Sequence, residues 1–270
     1  MIYAYRELKI LLLVSYYNRP LLVRDALKSV LVAGKKHKNW VMAFGDDGSE
    51  IPGEPVVREV MADKIRKVTF YNTHDDIDTK IERGIGIGRL ANDVLSKTDA
   101  DVVVTLCDDD RLHPDYLWKL NNYFLKNRNV MYCYSNIYLF NPFTDKPEDV
   151  TVLAGGYNAH KGPIDCYGKV DGSQVAFRTC CIRDNNIWYR DSTKSQKPEN
   201  THIPWQYNLD GELFKAFSDK IGQAQYTGFV SQYKGVHKYQ MVYHKEHKFH
   251  KIDDIRVFHR DVTQKAGKEF

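Results

Sequence analysis

Long apolar runs are missing from this 270-residue chain. No segment approaches the roughly 20 consecutive apolar residues that a membrane-crossing helix needs. The N-terminal run at residues 10–14 is too short for a signal-peptide core, and no small-residue cleavage site follows it. Paired cysteines are missing as well. The five present (Cys107, Cys133, Cys166, Cys180 and Cys181) contain no CxxC and include one adjacent pair, so they read as reduced thiols rather than a disulfide framework. Internal repeats and low-complexity tracts are also lacking. Together these absences lead to the expectation of a soluble, cytoplasmic protein.

A strong charge of one sign is the next absence. Lys and Arg number 39 against 35 Asp and Glu, a net charge of +4. Residues 1–135 carry 20 basic and 19 acidic side chains, whereas residues 233–270 carry 9 and 5, so the last segment accounts for the whole excess. A near-neutral body gives little support to general nucleic-acid binding, although it does not exclude it. The segment also holds His244, His247 and His250, but no cysteine or carboxylate set completes a zinc site around them, and a solvated basic tail is the better reading.

What is present is an alternation of strand-like and helix-like segments. Residues 10–15, 40–44, 67–71, 102–106 and 130–140 read as strands, several of them continuous apolar runs of the kind buried on both faces. Between them, Asn18 and Pro20 open a helix that Gly34 ends, a second helix covers about 88–96, and a third begins at Pro114. Such alternation predicts an α/β fold with a mostly parallel, Rossmann-like sheet flanked by helices. Beyond residue 140 the pattern is less regular. Two long loop-like stretches, 141–172 and 183–206, surround a strand at 174–178, and a helix follows at 209–221. Tyr157, Tyr167, Trp188, Tyr189, Trp205 and Tyr207 fall in or beside these loops, where aromatic side chains can stack on a ligand's rings or pack into the core.

Two acidic clusters each follow a predicted strand: Asp46-Asp47, and Asp108-Asp109-Asp110. Ligands of open parallel sheets bind at the carboxyl ends of the strands. Adjacent aspartates there repel one another unless cations neutralise them, and hard oxygen ligands suit Mg²⁺ or Mn²⁺. The alternative is a solvated acidic turn leading into the helix at Pro114.

The order Val14-Ser15-Tyr16-Tyr17-Asn18-Arg19-Pro20, Asp46-Asp47-Gly48-Ser49 and Leu106-Cys107-Asp108-Asp109-Asp110-Arg111-Leu112-His113-Pro114 resembles the nucleotide-binding half of family 2 glycosyltransferases, which have the GT-A fold. The resemblance implies that Ser15 and Tyr17 lie beside base and ribose, that Asp47 accepts a hydrogen bond from the base, and that Asp108 and Asp109 form the DXD motif. Asp109 would then be the main ligand of Mn²⁺ or Mg²⁺, with Asp108 toward the ribose. The chain departs from the family at Cys107, where many members have an acidic residue. It departs again at Arg89, which stands in for the family's arginine near the donor phosphates, while Asn92 fits. Gly172 and Ser173 resemble the glycine loop beside the donor sugar. Leu209-Asp210-Gly211-Glu212-Leu213-Phe214 resembles the segment that supplies the base, making Asp210 the catalytic candidate and Glu212, with Trp205, an acceptor-side one. Asp210 and Glu212 also suit a helix N-terminus on capping and dipole grounds alone. Tyr233-Lys234-Gly235-Val236-His237 resembles a segment whose histidine completes the metal site, and an ordinary surface histidine fits His237 nearly as well.

The expected organisation is a GT-A domain over 1–232, with 1–140 the nucleotide-sugar half and 141–232 an irregular acceptor-side half, then a basic, His-rich extension over 233–270. The expected activity is metal-dependent, inverting transfer from a nucleotide-diphosphate sugar, a UDP-sugar first, to a glycan or other hydroxyl acceptor. The rivals are a nucleotidyltransferase and a non-catalytic sugar- or nucleic-acid-binding protein on the same scaffold.

Overall fold

The apolar segments of the N-terminal half lie side by side as parallel strands in a computed structural model, which describes residues 6–74, 87–140, 151–153, 161–167, 169–189 and 209–235. They are β1 (Ile10–Tyr16), β2 (Trp40–Asp46), β3 (Val68–Asn72) and β4 (Val102–Cys107), in the order β3-β2-β1-β4. The connecting helices are α1 (Pro20–Ala33), α2 (Glu54–Val60), α3 (Ile87–Lys97) and α4 (Tyr116–Lys126). Side chains alternate across a strand, and β1 needs apolar residues on both faces because both are covered. Ile10, Leu12 and Val14 share a core with Leu27 of α1, Val57 of α2 and Leu120 of α4. Leu11 packs on the opposite face with Ala91, Val94 and Leu95 of α3.

Five more strands complete a nine-stranded sheet: β5 (Arg111–Leu112), β6 (Tyr132–Phe140), β7 (Thr151–Leu153), β8 (Val175–Arg178) and β9 (Gln225–Gly235). β4 pairs antiparallel with β8 and β8 antiparallel with β6. β6 runs parallel to β9, β5 closes antiparallel on β9, and β7 pairs with β6. The helices of this half are α5 (Cys180–Arg183) and α6 (Leu209–Lys220), and Leu213, Phe214 and Phe217 of α6 join the core on the α3 side. The expected α/β class holds, with the sheet parallel in its first half and mixed in its second. Among the described residues no helix is long and apolar enough to cross a membrane.

Three local expectations change. Asn18 does not cap α1. Arg19 holds the N-cap position without a side-chain cap, Pro20 presets the first turn, and Asn18 adopts a left-handed φ of 53°, which asparagine tolerates better than most residues. Its side chain instead accepts the Ile51 amide at 2.9 Å, tying the loop after β1 to the loop after β2. Gly34 ends α1 in a right-handed conformation, φ −68°, so no left-handed cap calls for glycine there. A Cβ at this point would overlap the Nε1 of Trp40, a side chain only 2% exposed with the Lys67 ammonium 4.8 Å from its ring centroid. Finally, β9 was not legible. Its sequence, QYTGFVSQYKG, is polar and interrupted by Gly228 at φ 79°, and its register against β6 shifts. Because β9 runs through Gly235, Tyr233 and Lys234 belong to the sheet and not to the extension that was expected to start at 233.

Gly34→Ala should destabilise the fold by about 1–3 kcal/mol, the usual cost of overpacking a tight contact. Urea unfolding measures it, and an unchanged midpoint would show that the indole can move aside.

Candidate active site at the carboxyl ends of the strands

β1 neighbours both β2 and β4, so the chain leaves it toward one side and returns on the other through β3 and α3. The crevice at such a switch point is where open α/β sheets bind ligands. The residues just beyond β1, β2 and β4 therefore meet there, although they are far apart in sequence.

The two members of the first acidic pair behave differently. Asp46 accepts the amides of Ser49 at 2.9 Å and Gly53 at 3.0 Å, so it fastens its own loop. Asp47 is anchored through its amide to Tyr16 O at 3.1 Å, and its carboxylate accepts the Thr73 hydroxyl at 3.3 Å.

The triplet after β4 divides its labour too. Asp108 accepts the Tyr17 amide at 3.0 Å and pairs with Arg19 at 2.8 Å. Arg19 also reaches Asp109 at 2.8 Å. Sequence reading took Arg19 as part of a loop signature and did not foresee it as the bridging cation. Asp109 and Asp110 group with Cys107 so that one donor atom from each lies within 4.8 Å of the others. Burial, and then the Asp110 charge, push the Cys107 thiol well above its ordinary value, so it is neutral here, and a soft sulfur is a weaker match for Mg²⁺ or Mn²⁺ than oxygen. The two carboxylates are hard oxygen donors of the type that Mg²⁺ and Mn²⁺ take, and they fit such an ion.

Lys234 of β9 stands between this cluster and the second half of the chain, 3.7 Å from Asp110 and 3.1 Å from Asp171. Burial alone would raise the Asp171 carboxyl, but the Lys234 charge and the Ser173 hydrogen bonds hold it below the usual carboxylate range. Asp171 caps the 3₁₀ turn Gly172–Gln174, accepting the Ser173 amide at 3.0 Å and the Ser173 hydroxyl at 2.6 Å. Gln232 binds this turn to β4, donating to Ser173 O at 2.9 Å and Thr105 O at 2.6 Å. Lys234 and Asp171 are the other functional candidates that sequence reading missed. The only signal for Lys234 was its place in the Tyr233–His237 segment.

Asp210, in the first turn of α6, packs so closely on Gly172 that a Cβ on the glycine would overlap its Oδ2. It opens to water through a cavity and is exposed there, while protein surrounds its other sides. Burial, and then the Asp171 charge, push its carboxyl up to about 6, with Lys234 opposing. The cavity measures about 940 Å³ with its mouth, and Ser15, Cys107, Asp171, Ser173, Tyr189 and Asp210 line its polar side. Thus Ser15, Ser173 and Asp210 come together, with Gly172 beneath Asp210. Tyr17, Asp47, Asp108 and Asp109 stand outside the lining, at the strand ends. Arg89 lies between the lining residues Gly88 and Leu90 without joining them, and Glu212, half-buried on α6, does not reach the lining either. Trp205, His237, Tyr157, Tyr207 and the three tail histidines lie outside the described residues.

Compared with known proteins, residues 12–183 match the family model described as glycosyl transferase family 2. No curated protein matches the chain. Among solved structures, S. aureus TarS is similar at 14% identity and a TM-score of 0.58, over 84% of this chain and 37% of that one. Its residues 1–349 are similar at 14% identity and a TM-score of 0.55, over 84% of this chain and 60% of that one. The same portion in complex with UDP-GlcNAc gives 13% identity and a TM-score of 0.50, over 85% and 59%. The chain therefore spans less than two thirds of the proteins it matches, and at these identities the likeness is one of fold.

Gly172→Ala should force the Asp210 carboxylate away from Asp171 and toward water, lowering its pKa from about 6. An NMR titration of Asp210 checks this, and an unchanged value would mean that the close packing does not set it.

Proposed function

Because the chain belongs to glycosyl transferase family 2, we propose that it transfers a sugar from a nucleotide-diphosphate sugar to an acceptor hydroxyl with inversion, and that a divalent cation assists. The observation that carries this reading is a carboxylate with a pKa of about 6, Asp210, facing a cavity that is also lined by Cys107, the residue grouped with Asp109 and Asp110 at the end of β4. A general base works best when its pKa lies near the operating pH. One side of the cavity thus suits an acceptor that must lose a proton, and the other suits a leaving diphosphate.

In the proposed step Asp210 takes the proton from the acceptor hydroxyl as that oxygen attacks the anomeric carbon. The bond from that carbon to the diphosphate oxygen breaks, and nucleoside diphosphate leaves with the electron pair. Asp171, held ionised by Lys234, keeps Asp210 basic enough to accept the proton. Ser15 and Tyr17 would meet base and ribose, Asp47 the edge of the base, and Asp108 the ribose. Gly172 and Ser173 border the sugar, Arg89 would lie toward the phosphates, and Glu212 and Trp205 toward the acceptor. Asp109, with Asp110 beside it and His237 as a further ligand, would hold Mn²⁺ or Mg²⁺. Such an ion supplies Lewis-acid stabilisation of the departing diphosphate. Among the described residues Arg19 and Lys234 serve four carboxylates, Asp108, Asp109, Asp110 and Asp171.

A UDP-sugar is the first donor to test, an imide-containing base being a natural partner for the Asp47 carboxylate. The solved complex of the TarS portion with UDP-GlcNAc makes that sugar nucleotide a sensible member of the panel.

Release of nucleoside diphosphate from a donor panel, with Mn²⁺ or Mg²⁺ and with chelator, tests the reading. Turnover should require the ion and return when it is restored. Absence of turnover with every donor, alongside tight binding of a glycan or a nucleic acid, would overturn it in favour of a binding protein. Asp210→Asn should lower kcat by roughly 100- to 10,000-fold, the range expected for loss of a general base, while donor affinity holds. In the wild type kcat/KM should fall about tenfold per pH unit below about 6, because the base is active only when deprotonated. A rate independent of pH between 5 and 7 would exclude Asp210 from this role.

A further inference from the structure

Tyr189 lies beyond α5 and is 6% exposed. Its backbone is gripped by a single side chain. Asn92 of α3 donates its Nδ2 to Tyr189 O at 2.8 Å and accepts the Tyr189 amide on Oδ1 at 2.9 Å. A planar amide bonded to both backbone groups of one residue fixes the direction in which its side chain leaves the chain. That side chain forms part of the cavity wall, together with Asp210, Ser173, Ser15 and Cys107. Among the described residues its hydroxyl makes no hydrogen bond. The hydroxyl is accessible from the cavity, where a ligand can meet it, and a tyrosine there presents an apolar ring with a polar tip. Burial, and then the charge of Asp210, push the phenol well above its ordinary value, so it remains a donor.

We infer that Tyr189 is a substrate-contacting residue whose hydroxyl donates a hydrogen bond to the transferred sugar, and that Asn92 is the positioning residue that aims it. The assignment rests on the nucleotide-sugar reading above. In that reading the sugar lies between the departing diphosphate, on the Cys107–Asp110 side, and the base Asp210. Tyr189 shares the cavity wall with Asp210 and Ser173, the groups placed at the base and at the sugar, so it stands beside that span.

Calorimetric titration of the full chain with UDP, UDP-glucose, UDP-galactose and UDP-GlcNAc provides the test, using the sugar nucleotide that the wild type binds most tightly. Tyr189→Phe keeps the ring and removes only the hydroxyl. It should leave the Kd for UDP within about twofold and weaken the sugar nucleotide about 3- to 10-fold, as expected for one neutral hydrogen bond. Asn92→Ala should reproduce that selective loss, whereas a purely structural role would weaken both ligands together. Equal weakening of UDP and sugar nucleotide in both variants, or no change in either, overturns the inference while leaving the transferase reading in place. A wild type that binds none of the four overturns the donor reading, and this assignment with it.

Discussion

Carboxylate repulsion at the end of β4 is the constraint on which the site depends. Three consecutive aspartates at one strand end are tolerable only if cations come to them. The strand order supplies one directly: β1 lies beside β4, so Arg19, just beyond β1, is within 2.8 Å of both Asp108 and Asp109. Lys234 arrives from β9, more than 100 residues later, and joins Asp110 to Asp171. Buried ion pairs of this sort are weak evidence of net stability, since desolvation offsets much of the attraction. Their effect here is geometric. Each cation ties a carboxylate of the triplet to another element of the fold.

The same network explains how one site can hold carboxylates of unlike character. Asp171 and Asp210 are close enough to feel each other, yet one is held below the usual range and the other pushed up to about 6. The asymmetry follows from the partners. Asp171 has the Lys234 ammonium and two bonds from Ser173, whereas Asp210 rests on the bare backbone of Gly172. Environments that drive paired acids apart in pKa are a recurrent way of dividing acid and base roles. In this chain the division is made by a turn of three residues and one lysine.

The parallel half was legible in the sequence because local rules decide it. Residues 10–15 and 102–106 are apolar runs bounded by turn residues, and both became β1 and β4 with only one residue added at their ends. The acidic clusters could be assigned to the ligand-binding rim from strand order alone. Individual duties could not. Nothing local distinguishes Asp46, which fastens its loop, from Asp47, or Asp108, which is engaged by Tyr17 and Arg19, from Asp109. Those differences come from the loop's own amides and Thr73 for the first pair, and from Tyr17 and Arg19, about 90 residues away, for the triplet. β9 escaped for a related reason: its polar sequence becomes a strand only because β6 and β5 offer it edges. Gly34 shows the converse error. Its position invited a capping explanation, while the true constraint is an indole delivered from β2.

The change from parallel to antiparallel pairing locates the cavity. β8 pairs with β4 only along Val102–Val104; running antiparallel, it enters the sheet from the turn Gly172–Gln174 and its ladder to β4 does not reach Thr105. Beyond that point β4 is unaccompanied by a strand on this side, and the backbone of Thr105 is met by the Gln232 amide and its hydroxyl by Gly172 O. A strand continuing alongside would have filled the space with ladder and side chains. The turn Gly172–Gln174 fills it only partly, and the small residues Ser15, Ala43, Gly45 and Ala91 leave the rest of the volume open beneath it. The cavity is therefore a consequence of where one strand pairing stops. That stop also brings Asp171 and the turn under Asp210 to the same level as Cys107 and its neighbours. Cys107 and Asp210 line one gap because the sheet changes direction there, and the proposed transfer needs that opposition more than it needs any single carboxylate.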